Sequence, residues 1–237
     1  MEKLIIFDRD GTLFDISNSH RSYYEDLRVA LTENGIVPPS YDVFIDSFKQ
    51  KKAIYTFSRG LFSKKSFRKW RGRFHYKKNN PFFVHAALYS GIEETIETLF
   101  QRNFKMILTS GWFGSESTRK SLEKHGLIKF FEKIITLDDF IKDKYPHFPP
   151  FELNKLPFRR SVSKKVWLIL TSAALLKVNP EDTVVVGDSP EDIKAGKKVG
   201  SKTIALLTGI GKENISVFHK LKPDFIIDSV NNLPEIL

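Results

Sequence analysis

The stretch Leu4-Ile5-Ile6-Phe7-Asp8-Arg9-Asp10-Gly11-Thr12-Leu13 constrains the fold of this chain more than any other, because a short apolar run ends in two carboxylates one residue apart, followed by glycine. An uninterrupted apolar run suits a strand buried on both faces of a parallel sheet, and such sheets form their ligand crevices beyond the carboxyl ends of the strands. Residues i and i+2 of an extended chain point the same way, so Asp8 and Asp10 can face one reacting centre. Gly11 permits a sharp turn that brings backbone amides close to an anion. An EF-hand calcium loop does not fit, since its third oxygen ligand would fall on Thr12 and its glycine position holds Leu13. Asp-x-Asp-Gly alone is also an ordinary surface turn, so the rest of the chain must decide.

From residue 91 onward, helical and strand patterns alternate. Ser90 and Glu93 form a capping-box signal for a helix over residues 92–100, followed by a strand at 104–108. A helix over 115–124, a strand near 133–135, a helix over 163–177 and a strand at 183–186 come next. Pro190 then opens a helix to Lys198, residues 203–206 and 225–227 are short strands, and a last helix starts near Asn231. This rhythm predicts an α/β fold with a doubly wound, mostly parallel, Rossmann-like sheet. Residues 16–88 break it, with helical patterns and turns near Pro38-Pro39 and Asn79-Asn80-Pro81. The expected organisation is a core of residues 1–15 and 89–237 interrupted by a mainly helical domain at 16–88. Residues 142–162, basic and carrying Pro146, Pro149, Pro150 and Pro157, read as a long ordered loop.

Composition narrows the function classes. The chain has 237 residues and no cysteine, which excludes disulfides, thiolate metal sites and a cysteine nucleophile. Its longest apolar stretch, residues 166–176, is broken by Thr171 and Ser172 and is too short to span a bilayer. Four apolar residues before Asp8 are too few for a signal peptide, so a cytoplasmic location is expected. The net charge is +10, and residues 16–88 alone hold 14 Lys and Arg against 5 Asp and Glu. Such an excess can steer anionic substrates or simply face water.

Two further segments bring polar groups to strand ends. Met106-Ile107-Leu108-Thr109-Ser110-Gly111 ends a strand in hydroxyls and glycine, and Val184-Val185-Val186-Gly187-Asp188-Ser189-Pro190-Glu191-Asp192 ends another in glycine and an acid. Lys164 and Lys165 sit between them, in the first turn of the helix after the proline-bearing stretch.

With Asp8-Arg9-Asp10-Gly11-Thr12, Leu108-Thr109-Ser110, a lysine and Gly187-Asp188-Ser189-Pro190-Glu191-Asp192 in this order, the chain resembles the haloacid dehalogenase-like (HAD) superfamily, in particular phosphoglycolate-phosphatase-like members with a helical cap inserted after the first motif. The resemblance implies a magnesium-dependent phosphatase of small organic phosphomonoesters. Asp8 would attack phosphorus to form an aspartyl phosphate, and Asp10 would serve as acid and then base. Mg2+ would be held by Asp8, the backbone carbonyl of Asp10 and Asp188, with support from Asp192. Thr109, the Ser110 amide and a lysine would hold the phosphoryl oxygens, with Gly11, Thr12 and Gly111 nearby. Spacing to Val178 favours Lys164 over Lys165, although the family's usual lysine-proline pair is missing. Arg9 and Ser110 also depart from the family's pattern, which commonly has an apolar residue and asparagine there.

Duller readings stand beside these. Asp192 follows Ser189 by three residues and can be a capping-box acid. Thr109 can be an ordinary β-prone residue at a strand end. Residues 58–78 interleave lysines and arginines with Phe62, Phe67, Trp70, Phe74 and Tyr76. That pattern can bind nucleic acid, but the aromatic spacing favours an amphipathic helix buried in the cap. His20 and Arg21 stand at the cap entrance, where they can touch substrate. The alternatives are a phosphomutase and a basic protein binding nucleic acid or nucleotides. Carbon-halogen hydrolysis is disfavoured, because a halide leaves without the proton that Asp10 would supply. The sequence leaves the oligomeric state open.

Overall fold

The computed structural model describes residues 4–15, 24, 25, 28, 29, 31, 32, 35, 37–49, 86–111, 114–144 and 161–237. Its centre is a parallel six-stranded sheet built from β1 (Leu4–Asp8), β4 (Lys105–Ser110), β5 (Lys133–Thr136), β6 (Thr183–Gly187), β7 (Lys202–Leu206) and β8 (Phe225–Ile227), in the spatial order β5-β4-β1-β6-β7-β8. All five residues of β1 and of β6 are buried, as expected for strands covered on both faces. After β1 the chain builds outward to β4 and β5, then crosses to β6 on the other side. The switch point therefore lies at the carboxyl end of β1, where Asp8 stands.

Alternation along the strands feeds two cores. Ile5, Phe7, Met106, Leu108, Val184 and Val186 face one layer, which α2 (Ile92–Gln101), α3 (Ser115–Lys124) and the terminal α8 (Leu233–Ile236) cover through Ile92, Ile96, Leu99, Leu122 and Leu233. Leu4, Ile6, Ile107 and Val185 face the other, under α5 (Ser161–Leu175) and α6 (Pro190–Lys198) through Leu168, Ile169 and Ala195. Two further helices, α4 (Leu137–Lys144) and α7 (Ile215–Leu221), complete the α/β part among the described residues.

Within the 16–88 segment, α1 (Tyr41–Lys49) follows Pro38-Pro39, and Tyr24, Tyr41 and Phe44 pack their rings together. Two short strands, β2 (Phe14–Asp15) and β3 (Ala87–Leu88), pair antiparallel and join the points where the chain leaves the core and returns. The basic aromatic run 58–78, His20, Arg21 and residues 145–160 lie outside the described residues. Among the described residues, no helix is long and apolar enough to cross a membrane.

Several expectations need correction. Ser90 does not cap α2: Gly91 is the N-cap, at φ 79, and makes no side-chain cap bond. Its left-handed turn leaves the Ser90 carbonyl to accept from Asn231 Nδ2 at 2.9 Å. The strand expected at 104–108 runs Lys105–Ser110, because pairing with β1 continues to the Asp8–Thr109 position and β5 pairs with Ser110. Helix α5 starts two residues earlier than expected and stops at Leu175, where Lys177 turns left-handed at φ 54. Residues 142–144 belong to α4 rather than to a loop. The chain ends in a 3-10 turn, Val230–Asn232, before α8.

Candidate active site

The sheet brings the sequence-separated acids together. Register places Thr109 beside Asp8 and Val186 beside Phe7, so Asp188 lies just past the neighbouring strand end. Asp8, Asp188 and Asp192 are buried, and each offers a carboxylate oxygen within 4.8 Å of the others. Lys165, reaching in from the first turns of α5, puts Nζ 2.7 Å from Asp8 Oδ1 and 2.7 Å from Asp192 Oδ1.

Asp192 is the capping-box acid that its spacing from Ser189 allows, and its second oxygen is turned to the lysine. Its Oδ2 accepts from the Ser189 hydroxyl at 2.6 Å and the Ser189 amide at 3.2 Å, closing the capping box of α6, while its Oδ1 faces Lys165. Asp188 is oriented by the Ile210 amide at 2.9 Å on Oδ2 and by the Thr12 hydroxyl at 3.4 Å on Oδ1. The loop after β7 is thus part of the site: Thr208 Oγ1 donates to the Gly11 carbonyl at 2.6 Å, and the Gly209 amide donates to the Tyr89 hydroxyl oxygen at 3.1 Å. Gly209 stands at φ 54, and a Cβ there would lie 2.1 Å from Asp188 Oδ2 and 2.6 Å from Gly11 Cα, so only glycine fits. Sequence reasoning missed Tyr89 and residues 208–210. The glycines at 209 and 211, directly after an apolar strand, were the available signal.

The other expected residues sit as follows. Lys164 is not the lysine at the acids; Lys165 is, because it lies on the buried face of α5, three and four residues before the buried Leu168 and Ile169. The Thr109 hydroxyl donates to the Phe7 carbonyl at 2.9 Å, which turns it onto β1 rather than into the crevice. Ser110 Oγ reaches Asp10 Oδ2 at 3.5 Å, and Asp10 Oδ1 forms an ion pair with Arg9. The Asp10 carboxylate is therefore outside the three-acid cluster. Gly111 passes the Lys165 stem, where a Cβ would lie 3.7 Å from Cε.

Electrostatics set the character of the cluster. Burial pushes the Asp8 carboxyl well above its ordinary value, with Lys165 opposing and the neighbouring acids reinforcing the rise. Burial, then the Asp192 charge, pushes Asp188 up to about 7, partly offset by the Ile210 amide. Burial alone would lower Lys165, yet Asp192 and Asp8 hold it above the usual lysine value. Three buried acids facing one contacting ammonium favour a further hard cation, and an all-oxygen anionic donor set suits a divalent ion such as magnesium.

A pH test follows. Unfolded aspartate titrates near ~3.9, and folded Asp188 at about 7. The folded state holds the extra proton in this window, so the contribution is present at low pH and lost as pH rises through about 7. In chelator, the melting temperature is expected to fall between about pH 5 and 8 more steeply than that of Asp188→Asn, and magnesium is expected to restore it at pH 8. Parallel profiles, or no response to magnesium, would contradict this reading of the cluster.

Comparison with known proteins agrees with the geometry. Residues 5–206 match the haloacid dehalogenase-like hydrolase family. The chain is 27% identical to the pyrophosphatase PpaX of Oceanobacillus iheyensis, covering 99% of this chain and 96% of that one. It is 26% identical to the phosphoglycolate phosphatase of Aquifex aeolicus, with 99% and 96% covered. In fold it is similar to a predicted phosphoglycolate phosphatase from Haemophilus somnus, with TM-score 0.71, 19% identity and coverage of 99% and 97%. It is also similar to a β-phosphoglucomutase-like structure from Thermotoga maritima, with TM-score 0.65, 20% identity and full coverage of both chains, 100% and 100%. Buried acids at the switch point of a parallel sheet, and a family match over most of the length, lead to one conclusion: the chain belongs to the haloacid dehalogenase-like hydrolase family and is an enzyme of the hydrolase class.

Proposed function

We propose that this chain is a magnesium-dependent phosphatase that hydrolyses small phosphomonoesters through an aspartyl phosphate on Asp8. The observation that carries the reading is Lys165 bridging Asp8 and Asp192 beside Asp188 in one buried cluster. A phosphomonoester is doubly negative and repels a carboxylate nucleophile, so attack needs cations at the phosphoryl oxygens. Lys165 supplies one such charge from the chain itself. Asp8, Asp188 and the Asp10 carbonyl are the groups we assign to the metal, with Asp192 in support. Bound there, magnesium would neutralise phosphoryl charge that Lys165 does not reach.

Asp8 then bonds to phosphorus as the ester P–O bond breaks, and Asp10 gives its proton to the leaving oxygen. In the second half, water loses a proton to Asp10, its oxygen bonds to phosphorus, and the bond to Asp8 breaks, releasing inorganic phosphate. The Ser110 amide, the Gly111 amide and the Gly11-Thr12 turn stand at the strand ends where phosphoryl oxygens would lie. Thr109 would join them only by giving up its bond to the Phe7 carbonyl. Residues 16–88 form the cap in this reading, entering and leaving through the β2–β3 pair. His20 and Arg21 remain candidate substrate contacts from that segment.

Phosphate release is the test, measured over a panel holding phosphoglycolate, pyrophosphate, sugar phosphates and nucleotides, with magnesium and with chelator. Metal-dependent release from at least one member is expected, and the preferred member defines the substrate class. Phosphate transferred within a sugar phosphate without release would identify a mutase instead. No turnover alongside salt-dependent oligonucleotide binding would favour the nucleic-acid reading.

A further inference from the structure

We propose that Tyr89 is a positioning residue for Asp188: its phenol oxygen holds the Gly209 amide and so fixes the turn that aims the Ile210 amide at the acid. The proposal rests on the assignment of Asp188 to the metal in the reading above. Asp188 is 3% exposed. A carboxylate buried so far from water keeps its orientation only while its donors stay in place. The Ile210 amide, 2.9 Å from Oδ2, is closer than the Thr12 hydroxyl, 3.4 Å from Oδ1. Whatever holds Ile210 therefore holds the acid.

Three successive amides of the loop after β7 are spent on three different partners. Gly209 N donates to Tyr89 Oη at 3.1 Å, Ile210 N to Asp188 Oδ2 at 2.9 Å, and Gly211 N to the Thr208 carbonyl at 2.7 Å. The Thr208 carbonyl and the Gly209 amide belong to one planar peptide unit, so that plane is pinned at both ends, by Gly211 within the loop and by Tyr89 from outside it. Gly209 follows at φ 54. Glycine populates positive and negative φ about equally, so residue 209 does not keep this conformation unaided. The Thr208 hydroxyl ties one flank to the Gly11 carbonyl at 2.6 Å, and Asn214 Nδ2 ties the other, 2.7 Å from the Ile210 carbonyl. Tyr89 holds the peptide plane between those flanks, where a rotation would carry the next amide off Asp188. It is itself a firm anchor. Tyr89 directly follows β3, its own amide donates to the Leu13 carbonyl at 3.1 Å, and its ring packs against the core under α2. Phenylalanine at this position would fill the same space with nothing to accept the Gly209 amide.

The test is a magnesium titration of the melting temperature, which needs no turnover, on wild type, Tyr89→Phe and Tyr89→Leu. Both variants are expected to need roughly tenfold more magnesium for half of the stabilisation, the size usual when a group supporting a metal ligand is removed. In chelator, Tyr89→Phe should melt within about 3 °C of wild type, whereas Tyr89→Leu, which also loses the ring, should melt lower. Phosphate release by Tyr89→Phe should fall at limiting magnesium and return to within about twofold of the wild-type kcat at saturating magnesium, with KM for the phosphomonoester unchanged. An unshifted magnesium midpoint in Tyr89→Phe, or a shift in Tyr89→Leu alone, makes the tyrosine a packing residue and overturns the proposal. A kcat loss that persists at saturating magnesium without a shifted midpoint places the phenol on the substrate and overturns it as well. Wild type whose melting temperature ignores magnesium overturns the proposal together with the metal assignment. Wild type that responds to magnesium yet releases no phosphate overturns the phosphatase reading alone, and the midpoints of the two variants still decide the role of Tyr89.

Discussion

Asp8→Asn is expected to reduce phosphate release by at least roughly a thousandfold while leaving a folded protein, because the amide keeps the shape of the side chain and removes the nucleophile of the proposed mechanism. Asp8 ends β1, is flanked by β4 and β6, and faces Lys165 at 2.7 Å. No other described carboxylate occupies that strand end, so no neighbour can substitute for it. The stability change should run the other way from the activity change. Burial is the largest influence on the Asp8 carboxyl and works against its charged form, more strongly than the attraction of Lys165 works for it. A neutral amide escapes that penalty and relieves Asp188 and Asp192 of a like charge. In chelator the variant should therefore melt no lower than wild type, whereas its stabilisation by magnesium should shrink, since a neutral amide oxygen replaces an anionic ligand. Thermal melts with and without magnesium, beside the phosphate assay, check all three expectations. A variant that unfolds, or one that keeps activity, would remove Asp8 from the role assigned to it.

What could be read from the chain alone follows from where its signals reside. Asp8 and Asp188 were legible because each ends an apolar run that has few alternatives to a buried parallel strand, and the fold then carries both to one edge of the sheet. Asp192 was ambiguous because one oxygen does serve as a cap, and only the structure shows the other turned to Lys165. The choice between Lys164 and Lys165 stays open in the sequence, and counting back from Val178 leans toward Lys164 because it ignores which face of α5 is covered. Leu168, Ile169, Ser172 and Ala173 define that face, and Lys165 precedes Ser172 by two turns, whereas Lys164 lines up with the exposed Leu175. Tyr89, Gly209 and Ile210 act through a phenol and two backbone amides contributed from distant points of the chain, and a backbone N–H has no signature in the sequence. Helix α4 was hidden for a different reason, since its polar first turn, Asp138-Asp139, is spent on neighbours. Asp138 accepts from the Gly114 and Ser115 amides at 2.7 and 2.9 Å and so caps α3.

The choice between the two lysines yields the second large effect. Lys165→Ala removes the ammonium that touches both Asp8 and Asp192 and leaves three buried acids within 4.8 Å of one another. Removing one partner of a buried ion pair costs about 3–5 kcal/mol, because the remaining charge keeps its desolvation penalty. In chelator at pH 8 the variant should accordingly lose about 3 kcal/mol of stability. Much of that loss should return with magnesium, which replaces the missing charge, or near pH 5, where the raised carboxyls take up protons. Activity should not return in the same way. Magnesium can restore charge balance, but in the proposed mechanism the lysine ammonium also holds phosphoryl oxygens, so a loss of roughly a thousandfold should persist at saturating metal. Lys164→Ala is expected to stay within about threefold of wild-type activity and within about 0.5 kcal/mol in stability, as a substitution away from the acids. Paired denaturant melts and phosphate assays on the two variants separate the outcomes. If Lys164→Ala were inactive and Lys165→Ala nearly normal, the 2.7 Å contacts would be a structural ion pair only, and the phosphate-holding charge would have to come from the neighbouring residue.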